Sequence, residues 1–505
     1  MGPRNESRWN LALTKWGMRH HGSEMSPTSS GALGRRVISD LAGGVDARIG
    51  GVIERANRNH HLRRLARIDW AQAFRGGDRG WASRRPPREG NDLQVYVDGA
   101  AALPAIAAAV RGARSFVHIA GWTIAPDFAV ERAPRIVTLR DLLADAATRV
   151  ETRVLVWAGA PVPVMHPSRA EARHLMEGLL RGTAIRGALD HRNRPMHCHH
   201  EKLVIVDGMV AFVGGIDLTD LGGDRFDGAP HLNAKDLGWH DVAARLTGPT
   251  VADVTSHFAM RWEATTGERL AAVAVPAPTG HSRVQMVRTV PEHTYAALPR
   301  GDFSILESFV GALRRSSRLI YLENQFLWSV ELVAVLREKL LQPPTDDFRV
   351  CLVLPQRPNN GKDDTRGQLS VLKQADHHGR LLVSTIGPPG RKHPPVYVHA
   401  KVGVIDDDWL IVGSANLNEH SLFNDTEVNL VTDDGVLARS VRERLWSEHL
   451  GQDCRGREPL EVIETQWRRA LSSAPPYATA LRPLPSVSRR SSRLLGPIKG
   501  LLVDG

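Results

Sequence analysis

One pattern occurs twice in this chain, and the repetition constrains the fold more than any composition figure. HHEKLVIVDGMVAFVGGIDL begins at His199 and VHAKVGVIDDDWLIVGSANL at Val398. Both fit H-x-K-x4-D followed by x6-G-[GS], and the offsets from His200 and His399 agree down to Gly214 and Gly413. Each sets His and Lys at the mouth of an apolar run that reads as a buried strand. A chain that does this twice predicts two copies of one unit.

The flanking sequence carries the same order twice. From Val95 it alternates strand and helix: LQVYVDG, AAALPAIAAAVRGA, SFVHIAGWTI, LRDLLADAATRV and RVLVWAG. After AVAVPAPTGHSR, residues 272–283, the order restarts with VQMVRTV, FSILESFVGALRRS, SRLIYLENQFL, SVELVAVLREKLL and FRVCLVLP. This rhythm predicts an α/β fold, duplicated in tandem, with a mostly parallel sheet flanked by helices in each copy. The expected division is a basic helical region at 1–92, a first half at 93–271, a linker at 272–283, a second half at 284–470 and a basic tail at 471–505. Apolar positions at helical spacing between Arg35 and about Phe74 predict one or two amphipathic helices there, capping a domain or lying on a membrane surface.

In a strand, residues two apart share a face, so His200 projects with Lys202 and His399 with Lys401. Two lysine ammoniums stabilise the charge that builds on phosphoryl oxygens under attack, one imidazole serves as nucleophile, and the other as acid and then base. Asp207 and Asp406 lie seven residues past each His, an odd offset. Asp207-Gly208 reads as a hairpin turn, so both aspartates are expected to anchor turns. Each imidazole needs a partner on its other nitrogen. Asp241 and Glu427 are candidates, with Asp217, Asp220, Asp236 and Asp425 also within reach along the chain.

At these residues the chain resembles the phospholipase D superfamily, whose members carry two such motifs. GGIDLTDLGGDRFD, WHDVAARLTGP, IYLENQFL and VHAKVGVIDDDWLIVGSANLNEHS extend the similarity over roughly residues 95–449, toward the eukaryotic-type enzymes. The resemblance implies a pseudo-twofold α/β structure with one active site at the interface of the halves. It implies a catalytic set of His200, Lys202, Asp207, His399, Lys401 and Asp406, with His200 as nucleophile, and supporting roles for Asp241, Glu427, Ser414 and Asn416. Glu323 and Gln325 in YLENQ match a family pattern as well. Two positions depart from it: Asp217 stands where many bacterial members have Asn, and His420 where the family segment has Arg. Regions resembling C2, PX or PH targeting domains are not found.

The implied activity is hydrolysis of a glycerophospholipid to phosphatidic acid and a head-group alcohol, with transfer to an alcohol in place of water as a variant. A cardiolipin-synthase-like phosphatidyltransferase and a nuclease are the alternatives. The implied partners are a phospholipid at a membrane surface and a water or alcohol acceptor. No nucleic acid, cofactor or metal is expected, and a monomer suffices because both motifs lie in one chain.

A net charge of +10 favours polyanionic partners. No apolar run reaches the roughly 18–20 residues that span a bilayer. The first residues show no secretory h-region. Cys198, Cys351 and Cys454 are widely spaced, odd in number and without a C-x-x-C pair, which argues against a disulfide framework or a zinc site. A cytoplasmic location, peripheral on the inner face of the membrane, is the expectation.

Overall fold

The computed structural model describes residues 29–485, apart from 133, 162–165, 195–196, 220–238, 360–361 and 391–395. The expected segments before residue 29 and beyond residue 485, and the candidates Asp220 and Asp236, lie outside the described residues. The chain forms two compact units, Met1–Val45 and Asp46–Gly505, and the second contains both motifs.

The first half runs β1 (Arg88–Val97), α2 (Gly99–Arg111), β2 (Phe116–Gly121), α3 (Leu139–Ala147), β3 (Glu151–Trp157), α4 (Arg169–Leu180), β4 (Arg186–Asp190), β5 (Leu203–Val206), β6 (Val210–Gly214), β7 (Val242–Thr247) and α5 (Val251–Thr266), after an N-terminal α1 (Ser29–Arg67). The second repeats it with β8 (Ser282–Val290), α6 (Ser304–Arg315), β9 (Leu319–Glu323), α7 (Val330–Leu341), β10 (Arg349–Val353), α8 (Lys362–Ala375), β11 (Leu381–Ile386), β12 (Val402–Ile405), β13 (Trp409–Gly413), β14 (Glu427–Thr432) and α9 (Gly435–Leu450), and adds an edge strand β15 (Leu481–Pro483). Several helix starts carry side-chain caps. Ser168 and Glu171 form a capping box on α4, and Ser329 and Asp434 cap α7 and α9.

All of these strands join one sheet in the order β15-β11-β10-β9-β12-β13-β14-β8-β1-β7-β6-β5-β2-β3-β4. Apart from β15 the order is the same read outward from either side of the β8–β1 pair, so a pseudo-twofold axis passes there. That junction is antiparallel, with Arg88 opposite Val284 and Asn91 opposite Ser282. The α/β tandem duplication is as expected, but the expectation of a mostly parallel sheet is corrected. Within this sheet, parallel pairing is confined to β2–β3–β4 and β9–β10–β11, where helices supply the crossovers. The motif hairpins and the central strands pair antiparallel, so the whole sheet is mixed.

One apolar core crosses the junction, drawing Leu93, Val95 and Leu246 from one half and Val284, Met286, Val428 and Leu430 from the other. Two further cores lie one under each half's own helices. The continuous central core makes the interface rigid, which a site shared between halves requires.

The segment from Asp46 covers the second half. His61 sits between Glu331 and Glu419 and stacks on Phe423 with ring centroids 4.0 Å apart. Arg64 donates to both Glu292 oxygens and to the Phe423 carbonyl. Burial alone would lower His61, but its two carboxylate partners raise it to about 9.

Candidate active site

The two HxK segments arrive just ahead of β5 and β12, and their backbones dock across the axis. The His200 and Glu201 amides both donate to the Thr426 carbonyl of the second half, at 2.9 and 3.1 Å. The His399 and Ala400 amides donate to the His240 carbonyl of the first half, at 2.8 and 3.0 Å. Thr426 and His240 each precede a carboxylate, and that carboxylate takes the incoming imidazole. His200 Nδ1 donates to Glu427 Oε1 at 3.0 Å, and His399 Nδ1 donates to Asp241 Oδ2 at 2.6 Å. Each histidine is therefore oriented by the opposite half. Sequence proximity leaves this pairing open, because Asp241 follows the His200 motif and Glu427 the His399 motif.

With Nδ1 engaged, each ring presents Nε2 as its reactive nitrogen. Both histidines are 2% exposed. Lys202 Nζ donates to the His200 carbonyl at 2.7 Å and lies 3.4 Å from Asp217 Oδ2. Lys401 Nζ donates to the His399 carbonyl and, at 3.3 Å, to Gln325 Oε1. The lysines thus fold back along their own segments, and their charges reach across the axis. Burial, Lys401, Lys202 and His200 together hold His399 well below the usual imidazole range. Burial lifts Asp241 to about 7 against Lys401, and lifts Glu427 to about 8 against Lys202 and the hydroxyls of Ser414 and Ser421. Both imidazoles, both lysines and both carboxylates form one electrostatic unit in a dry site, where such groups act strongly.

Ser414 and Ser421 donate to opposite oxygens of Glu427, and Asn416 Nδ2 donates to Gln325 Oε1 at 3.3 Å. Ser414 therefore supports the carboxylate, while Asn416 and Gln325 extend the polar wall beside Lys401. The first half has no room for a counterpart of Ser414. A Cβ at Gly215 would sit 2.2 Å from Asp241 Oδ1, so glycine is needed there. Aromatic rings close the walls: Trp239 lies 4.0 Å from His399 between centroids, and Trp122 meets His200 edge-on at 6.4 Å.

The motif aspartates stand apart from this centre, which corrects their place in the implied catalytic set. Asp207 takes the amides of Arg114, Ser115 and Phe116, and Asp406 takes those of Ser317, Arg318 and Leu319. Both occupy left-handed backbone, with φ of 57° and 53°. Each ties its hairpin turn to the start of the neighbouring strand, β2 or β9, at the far end of the strand from its histidine. Asp425 likewise serves elsewhere, accepting the Cys198 amide at 2.8 Å.

Sequence reasoning missed the support beneath the first motif. Glu201 faces away from the reacting centre and is fully buried with His257 and Arg261 of α5. Burial would raise it, yet Arg261 and His257 hold it at about 2. Arg261 also binds Asp190 and the Tyr295 hydroxyl, and Asp190 lies 3.3 Å from His199 Nε2. The available signal was His257 and Arg261, four apart on a helix whose inward face also carries Val254, Phe258 and Trp262. Glu323 belongs to a second buried network with His240, His449 and Tyr321, so its role is structural.

Two family profiles match the chain, "Phospholipase D" over residues 109–238 and "Cardiolipin synthase, PLD-like domain" over residues 315–448. Phospholipase D A of Dictyostelium discoideum is 26% identical over 73% of this chain and 36% of its own length. Cardiolipin synthase A of Pseudomonas entomophila is 26% identical over 83% of this chain and 84% of its own. The chain spans from 36% to 63% of the length of the phospholipase D relatives it matches first. A phosphatidylserine synthase from Haemophilus influenzae shares the fold, with a TM-score of 0.51 at 12% identity over 75% of this chain and 90% of that one. No described helix is long and apolar enough to cross a membrane. Matched in both halves by family profiles, and built around two histidines that each lean on a carboxylate of the other half, the chain belongs to the phospholipase D superfamily.

Proposed function

We propose that the chain is a phospholipase D acting on a glycerophospholipid of the phosphatidylcholine type at a membrane surface. The observation that carries this reading is the crossed pairing of His200 with Glu427 and His399 with Asp241 in one buried site. His200 Nε2 attacks phosphorus, and a P–N bond forms as the bond to the head-group oxygen breaks. His399 Nε2–H protonates the departing alkoxide. His399 then takes a proton from water, the resulting hydroxide displaces His200, and phosphatidic acid leaves. Lys202 and Lys401 donate to the non-bridging oxygens throughout. An alcohol in place of water gives transphosphatidylation.

The role of His399 follows from electrostatics. Burial and two ammoniums keep it neutral in the free enzyme. A bound phosphodiester anion offsets the lysine charge, so substrate itself allows His399 to hold the proton it must deliver. Both half-sites lie in one chain, so a monomer is complete, and no nucleic acid is needed as partner.

A cardiolipin-synthase-like transfer is the second reading, favoured by the match along nearly the whole length of the Pseudomonas protein. The test offers phosphatidylcholine, phosphatidylethanolamine, phosphatidylglycerol and single-stranded DNA in parallel. Phosphatidic acid and choline are expected. Cardiolipin and glycerol from phosphatidylglycerol alone would favour the transferase, and DNA cleavage with inert lipids would overturn both.

A further inference from the structure

Beside the reacting centre, but outside it, three side chains able to ligate a metal converge from both halves. His197 Nδ1 lies 3.1 Å from His420 Nδ1 and 3.5 Å from Asp425 Oδ1. The two rings are tilted by 57° with centroids 5.1 Å apart, so they approach edge-on through their nitrogens rather than stacking. His420 and Asp425 are buried, and His197 is partly open to solvent, its side chain 18% exposed.

The spacing is that of a coordination polyhedron. Ligands about 2.0–2.1 Å from a tetrahedral ion stand about 3.3–3.4 Å from one another. Two of the three edges, at 3.1 and 3.5 Å, bracket that value, and all three ligand atoms lie within 4.8 Å of one another. A hydrogen bond between the imidazoles explains only part of the arrangement, since two facing Nδ1 atoms share one proton at most. A second observation points the same way. Asp425 is fully buried, its Oδ1 takes the Cys198 amide, and its Oδ2 has no hydrogen-bond partner. A buried carboxylate with one oxygen lacking a donor is undercompensated, and a cation held through Oδ1, the oxygen nearest His197, would offset its charge.

We propose that His197, His420 and Asp425 bind a divalent transition-metal ion of the zinc class, with the fourth position open to water on the exposed side of His197. Two imidazole nitrogens and one carboxylate select zinc or its borderline neighbours over magnesium and calcium, which prefer all-oxygen sites. Binding releases the proton shared between the rings, and the ion takes both lone pairs. His197 belongs to the first half, three residues before His200. Asp425 belongs to the second, two residues before Glu427. The ion therefore clamps the two segments that form the His200–Glu427 pair, and it touches no reacting atom.

The test uses the full chain, stripped with a chelator, then equilibrated with Zn2+ and measured by elemental analysis, with Co2+ as a visible-absorption probe. Wild type is expected to bind one equivalent more than His197→Ala and to show intense tetrahedral Co2+ bands that the variant lacks. Zn2+ is expected to raise the melting temperature of wild type but not of the variant. Asp425→Asn, which keeps an acceptor for the Cys198 amide, is expected to weaken binding at least tenfold. His197 is partly exposed, so its variant should match metal-free wild type in melting temperature, and it decides the question if Asp425→Asn does not fold. Equal stoichiometry and equal Co2+ spectra for wild type and His197→Ala would overturn the proposal and leave a hydrogen-bonded imidazole pair.

Discussion

Replacing Asp241 by Asn removes, in an assay held above its lifted value of about 7, one negative charge beside His399 while preserving shape. The carboxylate accepts from His399 Nδ1 at 2.6 Å and from the Val242 amide at 2.7 Å. An amide oxygen serves one of these donors, and its NH2 group cannot accept from the other. The larger loss is electrostatic. When His399 carries its proton, its charge lies on the order of 4 Å from the carboxylate, and at an effective dielectric of about 20 that attraction is about 4 kcal/mol. Asp241 is buried and His399 nearly so, which leaves little solvent screening. At about 1.4 kcal/mol per decade, kcat should fall roughly 10³-fold. KM should change little, because the lysines that hold the phosphate are untouched. The assay is steady-state choline release from phosphatidylcholine, with the melting temperature as a control on folding. A loss under tenfold in folded protein would refute the claim that a carboxylate from the opposite half supports His399.

The turn aspartates should behave in the opposite way. Asp406→Ala frees three backbone amides and should lower unfolding free energy by about 2–3 kcal/mol in urea titrations, with kcat per folded molecule unchanged within a few-fold. Arg261→Met leaves Glu201 and Asp190 buried without their guanidinium and should cost about 3–5 kcal/mol; adding Glu201→Gln should recover part of it. His61 has its folded value raised to about 9 from 6.5, so its contribution is complete below pH 6.5 and is lost as pH rises through 9. That contribution is on the order of 3 kcal/mol, and His61→Gln should flatten the stability profile across that window.

Most of the architecture was legible because it is written twice. The repeated His-Lys-Asp spacing marked both hairpins, and Asp207-Gly208 marked a turn that the backbone then closes with positive φ at both residues. Strand direction was less legible, since a buried run such as LVIV reads alike in parallel and antiparallel pairs. The crossing of Glu427 to His200 was hidden for a physical reason. It depends on how two halves dock, and strand periodicity describes only one half at a time. The Glu201–His257–Arg261 network was concealed because three charged residues in apolar surroundings look like exceptions until their mutual contacts are seen. Gln325 illustrates the converse. A motif match placed it near function, and only its bond to Lys401 separates it from the structural Glu323 two residues earlier.

The central claim is that both histidines work on one phosphorus atom, His200 by attack and His399 by proton transfer. Rapid acid-free quenching of His399→Asn with an excess of phosphatidyl-p-nitrophenol, whose leaving group departs without a proton, followed by peptide mass spectrometry, tests it most directly. A phosphatidyl adduct on His200 is expected, persisting because water is no longer activated. Absence of an adduct on His200, or normal turnover by His399→Asn, would contradict it.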